Sequence, residues 1–532
     1  MALIKIAIFA GFLGALGVTF VCAAEGSSSQ NETVFRLSIP IEPPSLDPTQ
    51  LNFSEVGYFY HNVMRGLFSY TNKKSLVHEG AKECVFETPL KLTCQLRKVL
   101  WSSGEPVEAE DYVRTFRRLV APSSRSTAVD LLRNLKHALA VHAGSLAPGS
   151  LGIRAEGKDR LHFEFAVHDP EFFYKLTSSA LVPTRTETFP ARGELGGVLF
   201  NGPYRVVSWT KGRRLRLEPN PHFNGGYRHR PAVEVLFVDD EQTALNLYEQ
   251  KQLSFLRRLP TTYIAKHRSR LDFRQVPMAR FDYLGFGEEL KDQPDLRAAL
   301  SLSADFRELQ KLLDALGVPG CPSLPEDLLD RPRCVKFDLP LAKKHWEKVP
   351  PEIRARRMKL MFATFGGEDA KKSMEWFQAQ WKKNLGFHVD IEGSELHSYL
   401  ALLRKAPPAI FRKGVALERP TCSAALEIFS SGGAENFLKL SDKILESTSS
   451  RLTRELRPRQ GGGQLKSNGK ARRICGEGIQ RILDQNWLVP LGRMHFTLLV
   501  DPQFLDWSLS EMNQLDLSHL RIGSPQDEGK VK

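Results

Sequence analysis

Acidic residues are the scarcer charge: 61 Asp and Glu face 74 Lys and Arg, a formal balance of +13 over 532 residues. The excess leaves nucleic acid, anionic lipid and acidic ligands open as partners until the charge is located. The familiar signatures of catalysis and cofactor binding are missing as well. There is no Gly-x-Ser-x-Gly, no His-Glu-x-x-His, no Walker loop and no Gly-x-Gly-x-x-Gly. No Cys-x-x-Cys or Cys/His cluster has the spacing of a zinc site. These absences indicate no enzyme, no catalytic residue, no metal and no cofactor. Triads assembled from distant residues escape such a search, so a secreted hydrolase stays as a lesser alternative. With 42% hydrophobic and 25% charged residues, wholesale disorder and a polytopic membrane protein are excluded.

One apolar run, Ile6 to Val21, follows Lys5 and precedes Ala23, Ala24 and the polar stretch Glu25–Gln30. This is the pattern of a secretory signal peptide over residues 1–24, with Val21-Cys22-Ala23 as a small-x-small cleavage site. The run is short for a membrane span, which takes about 20 residues. The protein is therefore expected to be periplasmic or extracellular. Lipidation of Cys22 is the alternative to a free form, although Val21 is a poor residue before a lipidated cysteine. Six further cysteines remain, an even number that suggests disulfides in an exported chain. Cys84 and Cys94 flank a hairpin, VFETPLKLT, and Cys321 and Cys334 enclose PSLPEDLLDRPR, which leaves Cys422 with Cys475. This set is one of about fifteen possible pairings.

Strand and helix patterns alternate along the chain, which argues an α/β fold; its length argues two lobes or more. Val34–Ile39 alternates as a strand. Tyr112, Val113, Phe116, Leu119 and Val120 share one helical face within Val107–Val120. Asn201–Trp209 and Arg214–Pro219 read as a hairpin. Val233–Val238 reads as a strand and Thr243–Leu253 as a helix, with Asp239, Asp240 and Glu241 as its cap. Leu296–Leu313 reads as one long helix and Met358–Thr364 as a strand. Ala370, Met374, Phe377, Trp381 and Leu385 form a helical stripe, which implies packing against a core. The stretch Arg451–Arg473 holds eight cations and one anion. It is Gly-rich and has no interleaved aromatics, so it is read as a solvated loop rather than a platform for nucleic acid.

Several segments resemble the family 5 extracellular solute-binding proteins, the oligopeptide- and dipeptide-binding proteins of bacterial ABC importers. EPPSLDPTQ (Glu42–Gln50) is similar to that family's opening segment. LRKVLWSSGEPVEAEDYVRTFRRLVAP (Leu96–Pro122) is similar to its Trp-Ser-x-Gly-x-Pro-Val turn and following helix. NGPYRVVSWTKGRRLRLEPNPHF (Asn201–Phe223) resembles the return hairpin, and DLRAALSLSADFRELQKLL (Asp295–Leu313) the helix after the crossover. WFQAQWKKNLGFHVDIEGSE (Trp376–Glu395) resembles a helix-strand pair of the far lobe. The resemblance implies a two-lobed, periplasmic-binding-protein-like clamshell of class II, with an extra domain inserted in the first lobe. Lobe I would comprise 33–58, 200–283 and 486–523, the inserted domain 59–199 and lobe II 284–485. It further implies a monomer that holds a peptide or peptide-like ligand between the lobes and hands it to an ABC transporter permease in the inner membrane, with no role for nucleic acid.

Related peptide binders carry a Trp-x-x-Asp-type segment in lobe II whose acid holds the ligand's α-amino group. The corresponding segment is FRKGVALERPT (Phe411–Thr421). Its expected acid position holds Ala416 or Leu417, the nearest acid is Glu418, and Arg412 and Lys413 make the stretch cationic. Either Glu418 substitutes, or the ligand is not a free-amino peptide and Arg412 and Lys413 engage a carboxylate or phosphate. Asn52, Tyr58, Tyr283 and Asn436 complete the candidate ligand residues, with core packing the plainer reading of Tyr58. The altered segment also motivates a second reading, a degenerate member serving as an envelope sensor or scaffold.

Overall fold

The alternation in Phe35-Arg-Leu-Ser-Ile becomes a strand, Phe35–Ile39, inside a seven-stranded sheet of the computed structural model. The structure describes residues 33–50, 56–70, 76–124, 126–313, 320–322, 329, 334–417, 419–431, 433, 435–456, 469–492 and 494–523. The expected signal peptide over 1–24, Cys22 and the centre of the cationic stretch, 457–468, lie outside them, as do Asn52 and Glu418.

Phe35–Ile39 runs parallel to Val233–Phe237 on one side and to Phe255–Leu256 on the other. Beyond Val233–Phe237 lie Arg214–Pro219 and Tyr204–Thr210, the expected hairpin, paired antiparallel from Tyr204 opposite Pro219 to Thr210 opposite Arg214. Beyond Phe255–Leu256 lie His495–Val500 and Phe273–Pro277, again antiparallel. A second sheet has five strands in the order Val389–Ser394, Met358–Ala363, Ile410–Ala416, Arg280–Phe286 and Leu488–Pro490. A third, of four antiparallel strands (Ala81–Thr88, Lys91–Leu96, Arg160–Glu164, Ile153–Glu156), comes in sequence between the first and last-but-five strands of the first sheet. It packs with helix Ala109–Val120 around a core of its own that runs from Leu67 to Leu181. Phe59, Tyr60, Val63 and Met64, by contrast, pack with the core of the first sheet. The architecture is two α/β lobes with an additional layer inserted in the first.

The chain passes between the two large sheets twice. Met278 and Ala279 connect Phe273–Pro277 to Arg280–Phe286; the return runs from Pro490 to His495. The two passages lie side by side. The Met278 N–H donates to the Met494 carbonyl at 3.0 Å, and the Leu491 N–H to the Asp282 carbonyl at 2.9 Å.

The helical stripe holds: Ala370, Met374, Phe377, Trp381 and Leu385 are all buried on helix Gly367–Leu385. Each such large side chain contributes about 2 kcal/mol by leaving water. Gly386 ends the helix at φ 70°, a left-handed conformation that favours glycine. Leu296–Leu313 differs from the expected single helix. It is two helices, Pro294–Leu302 and Phe306–Leu312, because the Asp305 carboxylate accepts the Arg307 N–H at 3.2 Å and starts a new one. Asp240 caps helix Glu241–Glu249 by accepting the Thr243 N–H at 2.7 Å. The three disulfides join Cys84 to Cys94, Cys321 to Cys334 and Cys422 to Cys475. The last ties helix Cys422–Glu427 to helix Gly469–Asp484.

Buried ion pairs tie distant segments together. Arg419 Nε lies 2.8 Å from Glu171 Oε2, with both side chains about 95% buried or more. This pair joins the second lobe to the inserted layer, and burial pushes the Glu171 carboxyl up while Arg419 opposes the shift. Removing one partner leaves the other charged and dry. Arg419→Ala is therefore expected to destabilise by about 3–5 kcal/mol, whereas the paired change Arg419→Met with Glu171→Leu costs far less. Urea titration of the two variants beside the unaltered protein checks this.

His61 is fully enclosed beside Arg65, which in turn pairs with Asp516 at 2.6 Å. Burial, helped by the Arg65 charge, holds the imidazole down at about 3 against an ordinary 6.5. The unfolded chain then takes up a proton below about pH 6.5 that the folded chain refuses until about pH 3. This contribution to stability is full above pH 6.5 and is lost as pH falls toward 3, by up to about 1.4 kcal/mol per pH unit. His61→Gln, which keeps an acceptor for Arg65, is expected to flatten that part of the melting temperature's dependence on pH.

Candidate functional site

Parallel strands deliver their carboxyl ends, and the loops that follow, to one edge of an α/β sheet. Here Phe35–Ile39 ends at Pro40, Val233–Phe237 at Val238–Asp240 and Met358–Ala363 at Thr364. These three ends, two from the first lobe and one from the second, line a hollow of about 490 Å³. A smaller hollow of about 120 Å³ adjoins it and shares Arg257, Arg258 and Phe365. The smaller one reaches the crossover. From the first lobe come Met278 and Met494–Thr497; from the second come Gly366, Asp369, Tyr399, Arg412 and Gly414. Both hollows are therefore interlobe space.

The lobes also touch directly here. Arg258, just past the strand Phe255–Leu256, lies 3.0 Å from Glu241 on its own lobe. It donates to the Gly366 carbonyl at 3.1 Å and lies 3.7 Å from Asp369 on the other lobe. Thr261 donates to Asp369 as well. Asp369 sits in the first turn of helix Gly367–Leu385, whose amino-terminal end thus faces the smaller hollow.

The floor of the smaller hollow is built on the pairing of Arg280–Phe286 with Ile410–Ala416. Residues two apart on a strand share a face, so Arg280 and Asp282 point together. Asp282 has no exposed surface and is opposite Gly414. A Cβ at position 414 would lie 2.0 Å from Arg280 Nη2 and 2.3 Å from Asp282 Oδ1, so only glycine leaves room for this pair. Arg280 Nε approaches Asp282 Oδ2 at 2.6 Å, and Arg412 Nη2 approaches Oδ1 at 3.3 Å. Two guanidinium groups therefore share one buried carboxylate. Burial, helped by Arg280 and Arg258, pulls Arg412 below its ordinary value despite Asp282.

Of the residues expected at the site, Arg412 and Lys413 line the smaller hollow. Lys413 turns its ammonium elsewhere: it lies 3.3 Å from Glu435, above the Phe437 ring, and donates to the Gly414 carbonyl at 3.0 Å. Tyr283 is buried between Phe281, Phe411 and Phe429 on the opposite face of its strand from Asp282. Tyr58 is buried against Phe255 in the first lobe's core. The Asn436 side chain is used up inside its own turn: it donates to the Ser430 and Leu440 carbonyls and accepts the Leu440 N–H. None of these last three lines either hollow. Arg257, Arg258, Arg280, Asp282 and Asp369, which also border the site, carry no sequence motif.

Among the described residues, no group of three or more His, Cys, Asp or Glu could hold a metal ion. Nor is any helix among them long and apolar enough to cross a membrane.

Comparison with known proteins agrees with this geometry. The oligopeptide-binding protein OppA of Bacillus subtilis is 23% identical over 412 residues, covering 73% of this chain and 75% of the relative. The dipeptide-binding protein of Lactococcus lactis subsp. cremoris is 22% identical over 466 residues, 80% of this chain and 84% of the relative. The structure of Listeria monocytogenes OppA bound to peptide superposes with a TM-score of 0.73 at 20% identity, covering 93% of this chain and 100% of that one, a likeness of fold. The family model for bacterial extracellular solute-binding proteins, family 5 (middle), matches residues 81–437. With more than half its length matched, and with two lobes meeting over a cleft, the chain belongs to the bacterial extracellular solute-binding proteins of family 5.

Proposed function

We propose that this protein captures a peptide or peptide-like solute in the interlobe cleft, outside the cytoplasm, and delivers it to an ABC importer. The observation that carries this reading is the hollow of about 490 Å³ at the strand ends, walled by both lobes. That volume lies in the range of small-ligand sites, roughly 300–1,000 Å³. Only a conformation in which the lobes approach contacts a guest from both sides, so binding energy is converted into closure. The paired crossovers at Met278–Ala279 and Pro490–His495 are the place for such a hinge. The named activities of the relatives, oligopeptide and dipeptide binding, support a peptide as the guest.

The finer assignments belong to the same proposal. Residues 1–24 serve as the export signal, with lipidation of Cys22 as the alternative to a free form. The chain acts as a monomer through binding alone, without covalent chemistry, and docks on a permease in the inner membrane. Lobe I takes 33–58, 200–283 and 486–523, and lobe II takes 284–485. The inserted domain takes 59–199, its independent core spanning Leu67 to Leu181.

Two outcomes follow for the purified mature chain. A peptide bound only by the folded state, at one hundred times its Kd, stabilises by about 2.7 kcal/mol, read as a rise in melting temperature across a defined peptide library. Arg258→Ala, which removes the guanidinium spanning Glu241, Gly366 and Asp369, is expected to weaken peptide binding about tenfold by calorimetry. If no peptide in the library raises the melting temperature, and mass spectrometry finds a non-peptide molecule co-purifying, the peptide assignment is wrong.

A further inference from the structure

The positive balance of the chain is concentrated in two places. One is the stretch Arg451–Arg473. The other is residues 195–233, which hold seven cations and one acid, close to half of the excess of 13. Five of those seven cations fall in the hairpin Tyr204–Pro219, at one edge of the first sheet.

Leu37, Val233, Val235, Leu215 and Leu217 turn into the first lobe's core. The alternation of a strand therefore sends Arg36, Glu234, Arg214 and Arg216 to the other side of the sheet. The register lines up Arg216, Glu234 and Arg36 across three adjacent strands, and Arg205, opposite Glu218, lies on the next strand out. On this face the acid lies underneath and the cations lie on top. Arg36 reaches Glu234 at 2.9 Å, Arg214 at 3.2 Å and Arg216 at 3.7 Å, yet the Glu234 side chain is only 10% exposed. The side chains of Arg36 and Arg214 are 38% and 56% exposed, and that of Arg205 is 44% exposed. Lys211 and Arg213 are exposed in the turn at one end of the hairpin. A charge approaching from solvent meets the cations first, so the face presents a positive potential. Helix Glu241–Glu249 packs on the same side of the sheet, against Leu236, and leaves Arg205 and Arg214 exposed.

Among the described residues, no large apolar side chain is exposed on Tyr204–Pro219 or Val233–Phe237. A protein partner is held chiefly by aromatic and aliphatic anchors, and this face offers none. Guanidinium groups spaced about 5 Å from strand to strand match instead a layer of phosphates that can move to meet them. We propose that this face of the first lobe docks on anionic phospholipid head groups at a membrane surface. The interlobe cleft lies at the carboxyl ends of Phe35–Ile39 and Val233–Phe237, strands that run in the plane of the docking face. A protein lying on that face keeps the mouth of its cleft turned along the membrane, open to a guest. The proposal does not depend on what the guest is.

The test uses the full mature chain with vesicles of phosphatidylcholine alone and of phosphatidylcholine mixed with phosphatidylglycerol, read by cosedimentation at low and high salt. Binding is expected to the anionic vesicles alone, and it should weaken as salt rises. Each neutralised cation should weaken it about fivefold, so Arg205→Gln, Lys211→Gln and Arg214→Gln together should cost about a hundredfold. Arg457→Gln, Arg459→Gln and Lys466→Gln, in the other cationic stretch, should leave binding unchanged. Equal binding to both vesicles, binding to neither, or a loss confined to this second variant overturns the proposal. Polyglutamate separates the other class of partner: if the chain binds it and neither vesicle, the face serves an acidic polypeptide and the lipid assignment falls. A measurement on the unaltered chain guards against a hairpin variant that does not fold. Anionic vesicles should shield Lys211 from amine acetylation, read by mass spectrometry, and a Lys211 labelled equally with and without them overturns the docking face.

Discussion

The Asp282 carboxylate is the constraint on which the arrangement of the cleft depends. It is fully buried, and an unpaired carboxylate there would cost several kcal/mol. Its compensation comes from Arg280 on its own strand and Arg412 on the neighbouring one, with Gly414 directly opposite to make room. The backbone of the same residue takes the N–H of Leu491 from the returning crossover. One residue therefore pins the outgoing chain, the returning chain and the floor of the smaller hollow to each other. This buried cluster with its glycine fixes the place where the chain passes between the lobes.

The register explains why charge and apolar packing coexist on a single strand. Along Arg280–Phe286, Arg280 and Asp282 face the cleft side, while Phe281 and Tyr283 turn the other way toward Phe429. The alternation is the ordinary period of a strand. The aromatic side builds the second lobe's core with helices Cys422–Glu427 and Gly469–Asp484, themselves joined by Cys422–Cys475. Arg419, a few residues past the strand that carries Arg412, then ties this lobe to Glu171 of the inserted layer. The segment Phe411–Thr421 thus makes cationic contacts through Arg412, Lys413 and Arg419. Arg412 on the strand faces the cleft, and Arg419 in the following turn serves a structural ion pair.

What could be read from the sequence was local. The hairpin Tyr204–Pro219, the helix Ala109–Val120 and the stripe on Gly367–Leu385 announce themselves through periodicity within a single element. Three disulfides were readable because two of them close short loops and the third is what remains. The break at Ser303–Asp305 was not read, since Asp305 looks like any polar position of a surface helix until its carboxylate is seen on the Arg307 N–H. The cleft was legible only at Arg412 and Lys413, and for Lys413 the strand's alternation sends the ammonium to the far face. Arg258, Arg280 and Asp369 come from segments separated by tens of residues, and no local pattern marks their convergence. Tyr58 and Tyr283 are large aromatics, and it is this apolar bulk that places them in the core rather than the cleft.

The contact between the lobes at the cleft is polar at Arg258, which lies beside Glu241 on the first lobe and reaches Gly366 and Asp369 on the second. Such a contact is weak while water screens it and strengthens as its surroundings dry, because the same charges interact more strongly at lower dielectric. The hold of one lobe on the other at this point therefore depends on how far the cleft excludes water, whereas the apolar cores of the two lobes, each closed on itself, contribute little across it.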